Sequence, residues 1–176
     1  MDDTGRDYDE PDELEALEEA EWVWDVSEEE CVEDLYEHFK HEWEQTTFHF
    51  KGKRVKVNLN RSRVYGYHNY PDAFVHLITR ESKMKQRREF DPPRACRLHW
   101  IKTILRHSED PLVWYYEHTE GDGTLKQYYW YERRDYLVIL KPIAPDLLLV
   151  TAFCVDKHEK IFHRKRHQQY RDGLKK

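Results

Sequence analysis

At 176 residues the chain is long enough to bury a hydrophobic core, and we expect one domain with a tail. With 39% hydrophobic and 36% charged residues it is expected to be soluble, and no apolar run approaches the roughly 20 residues of a membrane span. Three scattered cysteines without CxxC spacing argue against a disulfide framework or a zinc ribbon, and they favour the reducing environment of the cytoplasm.

The net charge of −6 hides a sharp division along the chain. Residues 1–35 contain 17 Asp and Glu and one Arg, whereas residues 36–176 contain 28 Lys and Arg and 18 Asp and Glu. The basic body favours a polyanionic partner. Residues 1–26 are predicted to form an acidic, largely disordered arm that contacts either the basic body or a basic partner, unless its charges are merely solvated. Residues 27–176 are predicted to form a single α+β domain.

The first half of the body is predicted to be mixed. Ser27 and Glu30 have the spacing of a capping box, which predicts a helix over residues 27–43. The alternation in KRVKVNL predicts a strand over residues 53–59 with Val55 on its apolar face. Residues 73–79 are compatible with either a short helix or a strand.

Residues 92–107 are predicted to form one helix that begins at Asp91 and two prolines. At helical spacing, Leu98 and Ile101 contribute to an apolar stripe that also contains Arg97, and Arg94 lies at its edge. A buried guanidinium is costly without a partner. Two explanations of Arg97 are open: an ion pair with an internal carboxylate, or contact with an external anion.

The last third is predicted to be β-structure followed by a helix. Turn-rich EGDG and PIAP segments each separate two apolar runs and predict two hairpins. On the last strand, alternation places Leu147, Leu149 and Thr151 on one face. The resulting fold class is α+β, with N-terminal helices packed on one face of a roughly four-stranded antiparallel meander and a basic C-terminal helix.

No motif in the sequence indicates a metal or nucleotide site, so we expect no cofactor. The eleven histidines lack metal-ligand spacing, and no glycine-rich phosphate loop is present. The remaining His, Arg and Thr residues suit metal-independent RNA cleavage, which requires proton transfer and cations for the phosphate. His76 could instead be a core histidine with a hydrogen-bond partner, and Thr151 could simply fill a position in its strand.

Several basic residues are candidates for RNA binding. The aromatic hairpin segment QYYWYERR offers stacking surfaces beside Arg133 and Arg134, although aromatic residues in a hairpin more often serve core and cross-strand packing. The predicted C-terminal helix is strongly basic, and among the predicted elements it best suits binding to a nucleic-acid backbone. The candidate RNA-binding residues are Arg87, Arg88, Lys160, Arg164, Lys165, Arg166 and Arg171.

The order of five motifs resembles a known family. FVHLITR, RREFDPPRACRLHWIKTIL, VWYYEH, YLVILK and LLLVTAFCVDKHEKIFHRKRHQQY resemble the phage-associated branch of the barnase–EndoU–colicin–RelE-like (BECR) nucleases, and the resemblance covers roughly residues 53–172. The resemblance implies a toxin-type RNase with an RNA substrate and an antitoxin or immunity protein. It implies His76 as general acid or base, Arg97 as phosphate ligand and Thr151 as a strand hydroxyl, with Arg80 and Arg134 as further site candidates.

Three functions follow as hypotheses. The first is a metal-independent endoribonuclease that leaves a 2′,3′-cyclic phosphate. The second is a non-catalytic RNA- or protein-binding module of a phage or mobile element on the same scaffold, and the third is a structural protein of such an element. An arm this acidic is unusual for the family, and it could mimic RNA and cover the active site.

Overall fold

The chain folds around a six-stranded mixed sheet, and the computed structural model describes residues 12–175. The helices are α1 (Glu28–Phe39), α2 (Asp72–Ile78), α3 (Pro92–Ala95), α4 (Trp100–Arg106) and α5 (Lys157–Gly173). The strands are β1 (Phe48–Phe50), β2 (Lys53–Lys56), β3 (Thr79–Ser82), β4 (Arg87–Phe90), β5 (Val113–Thr119), β6 (Leu125–Tyr131), β7 (Tyr136–Ile143) and β8 (Asp146–Cys154). Short 3₁₀ turns cover Glu21–Trp24 and Glu132–Arg134, and a π-turn, Lys40–Glu44, extends α1.

The strand order in the large sheet is β1-β2-β8-β7-β6-β5. Both predicted hairpins are present, and they make β5–β8 an antiparallel meander of four strands. The sheet nevertheless has six strands, because β2 adds to β8 in parallel and β1 pairs with β2. β2 pairs with β8 only through Val55 and Lys56. Within residues 12–175, the edge of β8 from Leu149 onward therefore has no strand beside it on that side.

The helices cover both faces of the sheet rather than one. α1–α4 pack on the face that carries Tyr129, Val138 and Leu149. α5 covers the other face, where Tyr116 and Trp130 form a second buried cluster. β5 and β6 carry large aromatic side chains on both faces, and each face must be buried to remove them from water.

α1 begins as the capping box predicts. The Glu30 amide donates to Ser27 Oγ at 3.3 Å, and the Ser27 amide donates to the Glu30 carboxylate at 3.4 Å. Such a cap satisfies two amides that have no partner inside the helix. The helix buries Cys31, Leu35 and Phe39 at the predicted spacing.

The predicted helix over residues 92–107 is broken into α3 and α4. The Cys96 carbonyl accepts a hydrogen bond from the Ala20 amide at 2.9 Å, and the Trp100 amide bonds to the Arg97 carbonyl instead. Because a continuous helix needs the Cys96 carbonyl for the Trp100 amide, the chain tightens into a turn there. The contact with Ala20 comes from a distant part of the sequence, and local periodicity does not contain it.

A β-bulge in β8 changes the alternation of side-chain directions that the sequence predicts for this strand. Thr151 pairs with Ile139 and Leu149 pairs with Leu140, so Val150 has no partner residue on β7. The extra residue reverses the direction of every side chain after it. Ala152, rather than Thr151, therefore joins Leu149 in the core below the helical layer.

The acidic segment at residues 12–26 is ordered, contrary to the predicted arm of residues 1–26, while residues 1–11 lie outside the described residues. Leu14 is fully buried, and Leu17 and Val23 also join the main core. Glu19 forms an ion pair with Arg97, and Glu15 lies 3.5 Å from Arg133. The apolar residues between the charges anchor this segment, so residues 12–26 are part of the domain.

Candidate functional site

An open cavity of about 900 Å³ lies beside the free edge of β8. Its other walls come from α2, α3 and the β3–β4 hairpin, which pairs in a separate two-stranded sheet. Four residues singled out in the sequence line it together: His76, Arg80, Arg88 and Thr151. They come from four different elements, and the fold alone brings them to one place.

α2 positions His76 at this cavity. The helix buries Phe74, Val75 and Leu77 in the core, and the His76 side chain on the opposite side is 38% exposed. Thr79 ends the helix, and its hydroxyl donates to the Val75 carbonyl at 2.6 Å. The apolar neighbours in the sequence therefore anchor the helix, while the imidazole faces the cavity.

The charges around His76 favour its neutral form. Burial lowers the pKa of His76, the Arg88 guanidinium lowers it further, and the Asp72 carboxylate opposes both. Nε2 of His76 lies 3.6 Å from Oδ2 of Asp72, and Asn58 donates to the same carboxylate oxygen at 3.3 Å. A neutral imidazole can accept a proton at neutral pH, and Asp72 can orient the ring.

Two arginines support the end of α2. Arg94 Nη1 donates to the carbonyls of His76 at 2.9 Å and Thr79 at 2.6 Å. Arg88 donates through Nε to Thr79 Oγ1 at 2.9 Å and through Nη2 to the Thr79 carbonyl at 2.8 Å. Arg94 Nε lies 3.7 Å from the Asp91 carboxylate and is buried without a hydrogen bond. Both guanidinium groups are thus fixed at the wall of the cavity.

Arg94 also lines the cavity, although the sequence pattern does not single it out as a site residue. Its position at the edge of the apolar stripe was the available signal, but Arg97 lay closer to the centre of that stripe. The break between α3 and α4 changes the relation between the two residues. Arg94 faces the cavity and Arg97 faces the acidic segment.

Arg80 and Thr151 complete the cavity lining from β3 and β8. Within residues 12–175, the Arg80 side chain makes no hydrogen bond or ion pair, and it is exposed. The bulge at Val150 turns Thr151 out of the main core, in contrast to the predicted face with Leu149. These two side chains can therefore donate to a ligand without breaking a contact in the fold.

The cavity carries charges of both signs. Four permanent cations line it, and so do six carboxylates. A surface of this composition does not attract polyanions over a long range. It offers a local cluster of guanidinium groups beside a neutral imidazole. The basic residues are Arg80, Lys83, Arg88 and Arg94, and the acidic residues are Asp72, Glu81, Glu89, Asp91, Asp156 and Glu159.

Arg97 has an internal partner and lines no part of the cavity. Its Nη2 pairs with the Glu19 carboxylate, its Nη1 donates to Cys154 Sγ at 3.0 Å, and its guanidinium carbon lies 5.2 Å from the centre of the Trp100 ring. Of the two explanations, the internal carboxylate is the one found. The phosphate-ligand role implied for Arg97 does not fit this position.

Arg134 also lies away from the cavity. Its guanidinium carbon is 4.8 Å from the centre of the Trp100 ring, and Nη1 donates to the Leu17 carbonyl at 3.1 Å. The hydrogen bond to Leu17 attaches the acidic segment to the body of the domain. The structure therefore gives Arg134 a packing position, in place of the site position implied by the family resemblance.

The predicted RNA-binding cations fall into two groups. Most of them have an acidic or polar partner close by, whereas Lys165 and Arg171 make no ion pair within residues 12–175. The partnered residues are Lys160 with Asp135 at 2.7 Å, Arg164 with Glu132, Arg166 with Glu120 at 3.9 Å, Arg87 with Glu89 at 3.7 Å, and Arg88 with Thr79.

The aromatic hairpin segment packs inside the protein. Tyr128, Tyr129, Trp130 and Tyr131 are each 3% exposed or less. Tyr128 stacks on Tyr116 with ring centres 4.5 Å apart. These rings are therefore not available to stack on bases, and cross-strand packing is the explanation found.

The ordered acidic residues do not cover the cavity, since none of residues 12–26 lines it. Residues 1–11, the rest of the proposed RNA mimic, lie outside the described residues. Within residues 12–175, no three His, Cys, Asp or Glu side chains converge to hold a metal ion. The same residues contain no helix long and apolar enough to span a bilayer.

Comparison with known proteins found no similarity. The chain matches no protein-family model, no curated protein and no solved structure.

Proposed function

We propose that this protein is a metal-independent endoribonuclease whose active site is the cavity that contains His76. The observation that carries the proposal is the convergence of an imidazole, three guanidinium groups and a hydroxyl from five elements on one open cavity. These are the groups that cleavage next to a ribose 2′-hydroxyl needs, and the resemblance to BECR nucleases selects the same histidine and threonine.

In the proposed reaction, neutral His76 accepts the proton of the 2′-hydroxyl. The 2′-oxygen then attacks the adjacent phosphorus, and the bond from phosphorus to the 5′-oxygen breaks. Water in the open cavity protonates the departing oxygen. The products are a 2′,3′-cyclic phosphate and a 5′-hydroxyl end. The lowered pKa of His76 supports this role, because the imidazole is already neutral at pH 7.

The arginines are proposed to stabilise the charge on the phosphate. Arg88 and Arg94 are held by backbone carbonyls, so their positive charge is fixed before the substrate arrives. Arg80 is exposed and can contact a phosphate oxygen directly, and Thr151 can donate a hydrogen bond from the other wall. Fixed charges of this kind stabilise a transition state without reorganisation.

The direct test is cleavage of a labelled RNA in EDTA, followed by analysis of the ends. We expect the wild type to leave cyclic phosphate and His76→Ala to be slower by about 10²- to 10⁴-fold, the usual contribution of a general base. His49→Ala is the matched control, since His49 is exposed on β1 outside the cavity. Equal rates for wild type and His76→Ala, or intact RNA with wild type, would contradict the proposal.

A second candidate is a non-catalytic binding module on the same scaffold. The six carboxylates in the cavity favour it, because they oppose the approach of an RNA phosphate to His76 and so oppose cleavage there. This candidate predicts salt-sensitive binding of RNA without cleavage. Expression in bacteria adds a further distinction: a toxin-type RNase would slow growth and degrade total RNA, and His76→Ala would relieve both effects.

A further inference from the structure

A groove of about 690 Å³ runs along the outer edge of β5, beside α5. β5 and the residues just before it supply its apolar floor, and the last turns of α5 supply a polar wall. The groove shares no lining residue with the His76 cavity. Its lining residues are Pro111, Val113, Trp114, Tyr115, Arg164, Lys165, His167, Gln168 and Arg171.

The groove differs from the His76 cavity in charge. Among residues 12–175, its lining includes three permanent cations and no carboxylate, whereas six carboxylates line the cavity. Lys165 and Arg171 make no ion pair within residues 12–175, and both are exposed. They lie six residues apart on α5, or about 9 Å along the helix axis. The wall can thus contact an extended anion at two points.

The floor is aromatic and fixed. The ring of Trp114 stacks on His167 with centres 4.7 Å apart, and Tyr115 packs edge-on against Tyr170 at 5.6 Å. Both β5 residues remain partly exposed at the groove. Cations beside a partly exposed aromatic surface are typical of sites that bind single-stranded nucleic acids with little sequence preference.

We propose that this groove docks single-stranded RNA through its phosphate backbone, with Lys165 and Arg171 as the phosphate ligands. The inference rests on the proposed function, because RNA is the polyanion that this function requires. The groove supplies long-range attraction that the mixed charges of the cavity lack. In this arrangement one surface holds the strand and the other carries out the reaction.

The test measures binding separately from cleavage. In a His76→Ala background, the affinity for a fluorescent twelve-nucleotide oligouridylate is followed by anisotropy as the salt concentration changes. We expect Lys165→Gln combined with Arg171→Gln to weaken binding at least tenfold at low salt. The slope of log affinity against log salt should also fall by about 1.4, since each contact with a single strand contributes about 0.7.

The matched control is Lys53→Gln combined with Arg54→Gln on β2, which removes the same charge from exposed positions at the far end of the sheet. It should change the affinity less than twofold. Equal weakening by both pairs would show general electrostatics and overturn the proposal. Unchanged RNA affinity in the groove variant would also overturn the proposal. The same holds if that variant loses affinity only for an acidic peptide such as polyglutamate.

The two proposals fail separately. If the wild type binds RNA through the groove but never cleaves it, the proposed function falls and the groove stands. If the wild type cleaves RNA while the groove variant binds it like its parent, the groove falls and the nuclease stands.

Discussion

The His76 cavity and the α5 groove both present arginines, but they hold them differently. Arg94 in the cavity is mostly buried and donates to two backbone carbonyls, whereas Arg171 in the groove is exposed and makes no ion pair within residues 12–175. A guanidinium held by hydrogen bonds keeps its charge at a fixed position, where it acts at short range. An exposed one gives attraction that acts at a distance and is screened by salt. Hydrogen-bond partners therefore distinguish Arg94 from Arg171, although the two side chains carry the same charge.

The largest expected difference between the two regions is in stability. Arg94→Gln should lower the free energy of unfolding by about 3 kcal/mol, because it leaves the His76 carbonyl without its donor in a buried site. Arg171→Gln should change it by less than about 0.5 kcal/mol. Urea unfolding of both variants checks this. Similar losses in the two variants would show that the arginines are not held differently.

Acid is expected to destabilise the fold through His163, a buried histidine of α5, the helix that forms the wall of the groove. Burial and Arg166 lower the pKa of His163 to about 4, and its Nδ1 is hydrogen-bonded to the Tyr116 hydroxyl at 2.6 Å. The unfolded chain takes up this proton near pH 6.5. Stability is therefore full above pH 6.5 and should fall by up to about 3 kcal/mol toward pH 4. His163→Leu should reduce this slope in pH-dependent urea unfolding, and an unchanged slope would contradict the assignment.

The pH dependence of cleavage should sharpen the role of the cavity. The rate is expected to rise with pH through an apparent pKa below 6.5, because the neutral form of His76 is the active one. Asp72→Asn should move this limb to lower pH, since the carboxylate holds the pKa of His76 up, and it should slow the reaction about tenfold by releasing the ring. The pH–rate profile of both proteins is the measurement. A limb that moves to higher pH would exclude the Asp72 contact.

The smallest expected difference between the two regions is in their response to salt. Raising salt from 50 to 200 mM should weaken RNA affinity about sevenfold for two phosphate contacts in the groove. The cleavage rate at saturating RNA should change less than twofold, because Arg88 and Arg94 are partly buried and poorly screened. Single-turnover kinetics at both salt concentrations measure the two quantities. A strong loss of the saturated rate would place salt-exposed charges in the reaction itself.

Elements defined by adjacent residues could be predicted from the sequence. The Ser27–Glu30 capping box, the EGDG turn and the PIAP turn each depend on residues a few positions apart. His76, Arg80, Arg88 and Thr151 were selected as separate candidates, and the structure adds that they line one cavity. The chemistry of each side chain could be predicted from the sequence, but the convergence of the four elements that carry them could not.

Features that depend on distant contacts could not be predicted. The break between α3 and α4 depends on the bond from Ala20 to Cys96, and the partner of Arg97 is Glu19. The Val150 bulge depends on the register of β7 and β8, which alternation along one strand does not specify. The acidic composition of residues 12–26 masked three apolar anchors, so the segment was assigned to a disordered arm.

The docking of that segment has a consequence for how the chain folds during synthesis. Its contacts are among the most distant in the sequence: Glu19 reaches 78 residues ahead to Arg97, Glu18 reaches 82 ahead to Trp100, and Leu17 reaches 117 ahead to Arg134. The first part of the described chain to leave the ribosome therefore cannot complete these contacts until Arg134 has been synthesised. Contacts of such long range slow folding. Until they form, residues 12–26 of the nascent chain lack the partners that they contact in the folded domain.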